Sequence, residues 1–357
     1  MELELDDLLH HEQGSDPLPA DIEAASTNVE VYPGAAMSYV SGLTFMDKFF
    51  ADKYGELCKE NIFYPFTSRE DWQIASWLLH SHLSMAAIDS FLSLELVGYI
   101  SHIKRLMLSF QTARELHLHA EMLLPGPRWQ SRVLQPQNLT KRVAMLFYCD
   151  PIKCLQSLLS HPLFKPHISF VPRKVWSTAA QISRVYDKWL TGDHAWELQN
   201  QLPHGGTFLG VMLSSDKTNI SVMSRNCMAH PLLLSLANIS MDICSKGSLH
   251  GHMLLALLPV LSFIHKKSCV RSLLSDRLFH RCLDLVLKPL KIAATVGVMM
   301  NDPCGNVRYC FTPLVGYIAD TPEQSLLACM SPRVSPMSTA THREFGDNMC
   351  HPPRTGT

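Results

Sequence analysis

Two aspartates stand where apolar runs give way to turn-forming residues. In 211-VMLSSDKTNIS-221 the apolar lead-in passes through two serines to Asp216, then to Lys217, Thr218 and Asn219. In 312-TPLVGYIAD-320 the run closes on Asp320, with Pro322 just behind it. Ligands and catalytic groups collect at strand ends in α/β sheets, because there the backbone is held rigid while the side chain meets solvent. A carboxylate so placed is fixed without the cost of desolvating it inside a core. Two of them from different strands could share Mg2+, and a pair of ions roughly 3.5–4 Å apart would activate a nucleophile and stabilise the leaving oxygen in phosphodiester chemistry. Aspartates also follow strands as plain caps or turn formers, and spacing alone leaves both readings open. Asp302, in 300-MNDPCGNV-307, competes for the role, but its Asp-Pro-x-Gly context reads as a turn.

Other residue sets offer less. His117 with His119, His250 with His252, and His280 with Cys282 each bring two possible ligands together without a complete set at a recognised metal spacing, so hydrogen-bonded or solvated histidine is the better reading. Trp176, Trp189 and Trp196 share a segment with Arg173, Lys174, Arg184 and Lys188. Such a mixture can stack on and clamp DNA, while core packing explains the tryptophans more simply. There is no Gly-rich phosphate loop and no Ser-His-Asp arrangement recognisable by spacing, which argues against a nucleotide cofactor and against a serine hydrolase.

The elements that must position these residues are of two textures. Between Ser68 and Val97 the pattern is helical: Ser68 stands three residues before Asp71 as in a capping box, and Trp72, Ala75, Leu78 and Leu79 recur at helical spacing. A second helix starts at Ser84, and the linker 80-HSHLS-84 makes the pair either a packed helical hairpin or a helix-turn-helix; no basic recognition face favours the latter. A third helix, around Ser109 to Leu123, stops at Pro125-Gly126-Pro127. Beyond it, strands are expected at Val143–Cys149, Gly206–Leu213, Pro231–Ala237, 305–310 and 312–320, with helices at Ile152–Leu159 and Leu278–Leu290. Strands and helices mixed in this order indicate an α/β domain. The expected organisation is a loose acidic tail over 1–45, a helical region over 46–127, the α/β domain over 128–330 and an irregular tail over 331–357.

Composition sets bounds on partners and compartment. The formal net charge of −1 conceals an asymmetry: residues 1–30 hold nine acidic and no basic residues, leaving 23 acidic against 31 basic, about +8, for the rest. A moderately basic body suits a polyanion. Eleven cysteines, odd in number and without a CxxC pair, indicate reduced thiols in an intracellular protein. The acidic start MELELDDLLHHEQ is unlike a signal peptide, and the most apolar window, Met253 to Ile264, is shorter than the roughly 20 residues of a bilayer span. A protein that is neither secreted nor membrane-bound is expected.

Long stretches of the chain carry a resemblance. The segments 161-HPLFKPHISFVPRKVW-176, 187-DKWLTGDHAWELQNQLPHGGTFLGVMLSSDKTNIS-221, 229-AHPLLLSLANI-239 and 287-LKPLKIAATVGVMMNDPCGNVRYCFTPLVGYIADTPEQ-324, with 60-ENIFYPFTSREDWQIASWLLHSHLSMAAIDSFLSLELV-97, resemble the fungal Plavaka-type transposases of the Kyakuja–Dileera–Zisupton class of DNA transposons. The resemblance spans roughly residues 30 to 357. It implies an α/β fold of ribonuclease-H-like type, here an incomplete mixed sheet preceded by the helical region, with an Asp-Asp-Glu triad holding Mg2+ or Mn2+. Asp216 matches the first acid, expected on the first strand, and Asp320 the second, just after the fourth. It also implies DNA, the transposon ends, as partner, a possible homo-oligomer, and a nuclear location. Relatives continue well past the position of Thr357 and often begin with a zinc finger. The expectation is therefore a C-terminally truncated chain that lacks the helix-borne third acid, since Glu323 and Glu344 follow Asp320 too closely. Such a chain would be an inactive remnant; the alternatives are a non-catalytic DNA-binding or protein-interaction module, or a relic without function.

Overall fold

A computed structural model describes residues 28–40, 42–94, 107–136, 138–219, 228–331 and 333–354. Two compact units divide the chain, one formed by Gly42–Arg128 and the other by Met1–Ser41 together with Trp129–Thr357.

In the first unit, helix α1 (Arg69–His80) begins where expected, with the Ser68 hydroxyl accepting from the Asp71 amide at 3.2 Å. The reciprocal half of a capping box is not made. The buried Asp71 carboxylate instead accepts from the Thr67 amide at 2.8 Å and from the Ser109 amide at 3.1 Å, tying α1 to the segment before α3. Helix α2 (Met85–Leu92) is capped by Ser84, and α3 (Ala113–Met122) by Thr112. Phe66, Ala75, Leu78, Ile88, Leu92, Phe110, Ala113 and Leu116 close a small core of their own.

The second unit is built on a six-stranded sheet. Its strands are β1 (Trp129–Leu134), β2 (Ala144–Cys149), β3 (Val211–Ser215), β4 (Pro231–Leu236), β5 (Met253–Leu257) and β6 (Leu314–Ile318), arranged in the order β6-β3-β4-β5-β2-β1. All neighbours are antiparallel except β6 and β3, which run parallel. The amphipathic helix α4 (Pro151–Leu159), capped by Asp150, buries Cys154, Leu155, Leu158 and Leu159 against the sheet. Helix α5 (Ser268–Val296) adds Leu278, Phe279, Cys282, Leu283, Val286 and Leu290 at helical spacing. The short helix α6 (Thr321–Leu327) follows β6 directly. The fold is thus mixed α/β, as the order of elements indicates.

Three expectations are corrected. The strand expected over Gly206–Leu213 is two: Thr207–Phe208 pairs in parallel with Asn306–Phe311, and β3 starts at Val211 in the other sheet. The chain crosses at Gly210, whose amide donates to Asn238 Oδ1 at 2.9 Å and where an added Cβ would meet Ala237, Phe208 and Val315 at 3.1 Å each. Helix α5 extends well beyond Leu278–Leu290 at both ends, because propagating a helix from an existing turn adds one hydrogen bond per residue fixed, so flanking turns join it with little apolar periodicity. Finally, residues 28–40 do not belong to a loose tail. Val29–Val31 pairs with Arg173–Trp176, and Ser38–Val40 pairs with Asn306–Phe311. Strands of three residues are too short for a periodic signal, and distant partners stabilise them. Residues 1–27 lie outside the described residues. Residues 333–354 are irregular, held by single bridges such as Val334 to Thr341.

Candidate functional site

Strands β3 and β6 lie side by side and point the same way. Leu213 pairs with Tyr317 and Ser214 with Ile318. Asp216 and Asp320 therefore each stand two residues beyond the Ser214–Ile318 pair, at the same end of neighbouring strands that run about 4.8 Å apart. Side chains alternate along a strand. On β3 the inward positions are Val211, Leu213 and Ser215, so the sequence parity of Asp216 is that of the outward Met212 and Ser214. Asp320 shares the parity of Ile318 in the same way, and both aspartates are exposed.

Each carboxylate is partly engaged. Asp216 Oδ2 accepts from the Thr218 hydroxyl at 2.9 Å, and Asp320 Oδ1 accepts from the Glu323 amide at 2.9 Å as the N-cap of α6. Among the described residues this leaves one oxygen of each without a hydrogen bond. Hard carboxylate oxygens at one sheet end suit Mg2+ or Mn2+, although among the described residues no third His, Cys, Asp or Glu joins them to make a metal-binding group.

On the inward side of the same strand ends sits a polar cluster that sequence reading did not assemble. Glu323, only 7 % exposed, accepts through Oε1 from the Ser215 hydroxyl and contacts His230 Nε2 at 2.8 Å. Tyr317 OH lies 2.6 Å from Ser215 Oγ. A hydroxyl carries one proton, so with Ser215 donating to Glu323 the Tyr317 hydroxyl donates to Ser215. Burial pushes the Tyr317 phenol up to about 12, which keeps it a donor. Burial alone would raise the Glu323 carboxyl; the hydrogen bonds from His230 and Ser215, with the charges of His230 and Lys217, more than offset this and hold it below its ordinary value. The His230 ring stacks on Phe279 with centroids 5.2 Å apart. A signal for part of this cluster was present: Ser215 is a polar residue at an inward position of an otherwise apolar alternation.

Several of the remaining candidates have structural employment. Asp302 is fully buried at the Asp302–Asn306 turn, accepts from the Cys304 and Asn306 amides at 2.9 Å each, and pairs with Arg308 at 2.8 Å, so the turn reading holds. His280 Nε2 lies 3.0 Å from the Leu326 carbonyl, and burial pushes the Cys282 thiol up to about 12. Glu344 caps its own turn at Thr341. Trp189 stacks on Phe208 at 5.0 Å, Lys174 lies 4.0 Å over Trp196, and Arg184 lies over both Trp176 and Tyr186.

No curated protein and no solved structure matches the chain. The family model described as Plavaka transposase matches residues 110–357, a stretch that covers the whole six-stranded sheet, both aspartates and the Glu323 cluster. The chain belongs to the Plavaka transposase family.

Proposed function

We propose that this chain is a transposase-derived DNA-binding protein whose six-stranded sheet is of ribonuclease-H-like type, with Asp216 and Asp320 as ligands for Mg2+ or Mn2+. One observation carries the reading: two aspartates each follow the Ser214–Ile318 pair of adjacent parallel strands by two residues. Counted within the sheet from Val211, β3, β4 and β5 are successive antiparallel strands and β6 is the fourth, beside the first. Asp216 then stands at the end of the first strand and Asp320 just after the fourth, which supports matching them to the first two acids of an Asp-Asp-Glu triad. Transposase ancestry makes DNA the partner, and the basic balance of residues 31–357 supports it. DNA as partner implies work in the nucleus.

When bound, a divalent ion polarises a phosphate oxygen and lowers the pKa of its water. This chain contributes the two carboxylates, held on rigid strand ends with Thr218 and the Glu323 amide fixing their rotamers. Two carboxylates supply less negative charge than two dications require against their mutual repulsion. The proposed activity is therefore cation binding and DNA retention, with strand cleavage absent.

The test is a gel assay of a supercoiled plasmid with Mn2+, run beside a retention assay on heparin and duplex DNA. Salt-sensitive retention without nicking, with Mn2+ binding lost in Asp216→Ala, supports the reading. Mn2+-dependent nicking abolished by Asp216→Ala would instead establish a working nuclease. Mn2+ binding that survives Asp216→Ala would remove Asp216 from the site.

A further inference from the structure

The polar cluster beneath the two aspartates has a connectivity that cation binding does not by itself require. The paired register of β3 and β6 ends at Ser214 and Ile318, so beyond that point something else must hold the two chains in relation. A path does so. The Glu323 amide donates to Asp320 Oδ1 at 2.9 Å, and the Glu323 side chain returns through Oε1 to the hydroxyl of Ser215, the residue before Asp216. Tyr317 OH, on the strand that leads to Asp320, meets the same Ser215 Oγ at 2.6 Å. His230, just before β4 and stacked on Phe279, fixes Glu323 Oε1 from the third side at 2.8 Å. One buried carboxylate oxygen thus collects β3, β4 and the start of α6.

We propose that Glu323 is the positioning residue of the site, tying the chain at Asp216 to the chain at Asp320 and so setting the separation of their carboxylates, an inference that rests on the reading of those aspartates as a cation site. Glu323 does not itself ligate the ion: its carboxylate is turned inward to Ser215 and His230, away from the parity shared by the two aspartates. The distinction is chemical. Both hydrogen bonds fall on Oε1, so Glu323→Gln, with its carbonyl oxygen in that place, keeps the tie without the charge. Glu323→Ala removes the tie at Glu323, and Ser215→Ala removes it at the strand while sparing the buried His230 contact.

Two measurements on the full chain separate the possibilities. The first is a carboxylate 13C NMR titration of the metal-free, Asp-labelled protein, with Asp216→Asn and Asp320→Asn used to assign the two signals and to measure how far each shifts the other. Close carboxylates titrate as a coupled pair. A mutual shift is expected in the wild type and in Glu323→Gln, and is expected to fall by more than half in Glu323→Ala and Ser215→Ala. No mutual shift in the wild type, or the same shift in all four proteins, overturns the proposal. The second is Mn2+ affinity by EPR titration. Glu323→Ala and Ser215→Ala should weaken it by about tenfold or more, while Glu323→Gln stays within about twofold, the scale on which orienting partners of a metal ligand act. An equal loss in Glu323→Gln and Glu323→Ala would make the charge itself the active feature and overturn the positioning role. If the wild type binds no Mn2+, the cation reading fails alone, and the NMR titration still decides whether Glu323 sets the spacing.

Discussion

A carboxylate as enclosed as Glu323 is tolerated in a protein interior only with partners, and here two of them share one oxygen. The linkage follows from the direction of its titration. Its folded-state carboxyl lies below the ordinary Glu value of 4.5, so its contribution to stability is present above that value and is lost as pH falls through the lower, folded one. The ionisable groups facing it are His230 and Lys217, with the Ser215 and Tyr317 hydroxyls. Glu323→Ala should therefore cost about 2–3 kcal/mol near neutral pH, the scale of a buried charged hydrogen bond left unmade. Urea unfolding should show that deficit shrinking once the pH drops below the carboxylate range; a deficit independent of pH would mean that packing, not ionisation, carries it. At this scale the strand-end placement of the two aspartates was legible, because turn chemistry after an apolar run is local. The partnership of His230 with Glu323 was not, since 93 residues separate them and only the sheet brings them together.

Elements show the same division between local and distant causes. The helix starts at Ser68 and Ser84 were readable because each cap is a hydrogen bond closed within three residues. The crossing at Gly210 was not, because an apolar run does not say which sheet each half joins. Gly210→Ala should cost about 1–3 kcal/mol, the range for overpacking a tight site, whereas Gly126→Ala, with nothing within 4 Å of its added Cβ, should leave the melting temperature unchanged. A neutral Gly210→Ala would show that Ala237, Phe208 and Val315 yield more easily than their 3.1 Å approach implies. The hairpin of Val298–Asn301 and Asn306–Phe311 depends on the buried Asp302–Arg308 pair. Removing one member leaves the other charge uncompensated, so Asp302→Ala should cost about 3–5 kcal/mol. The double variant Asp302→Leu with Arg308→Met should recover part of that loss in the same thermal melts, because no charge then remains buried.

Across the whole molecule, the N-terminal stretch is the feature least visible in the sequence. An acidic, Gly- and Pro-containing segment reads as loose, yet residues 28–40 supply two strands, and Ala36 accepts from the Arg308 guanidinium at 2.6 Å. Deleting residues 1–40 should lower the melting temperature of the α/β unit by several degrees, since Arg308 loses an acceptor and Asn306–Phe311 a neighbour. Deleting only 1–27 and finding the same loss would place the effect outside these strands. The charge asymmetry was legible from residue counts alone, and the α/β character from the order of strands and helices; the pairing of residues 28–40 with distant strands was not, because periodicity carries no long-range information.

That long-range pairing also fixes a timetable for synthesis. Ala36 and Arg308 stand 272 positions apart, and at the roughly 5–20 residues per second of a translating ribosome the first waits tens of seconds for the second. Helices α1 to α3 can close their own core during that interval. Strand 29–31 can pair once Arg173–Trp176 has emerged, but strand 38–40 waits for Asn306–Phe311, so on stalled ribosomes protease resistance of residues 38–40 should arise only after Phe311 has left the exit tunnel.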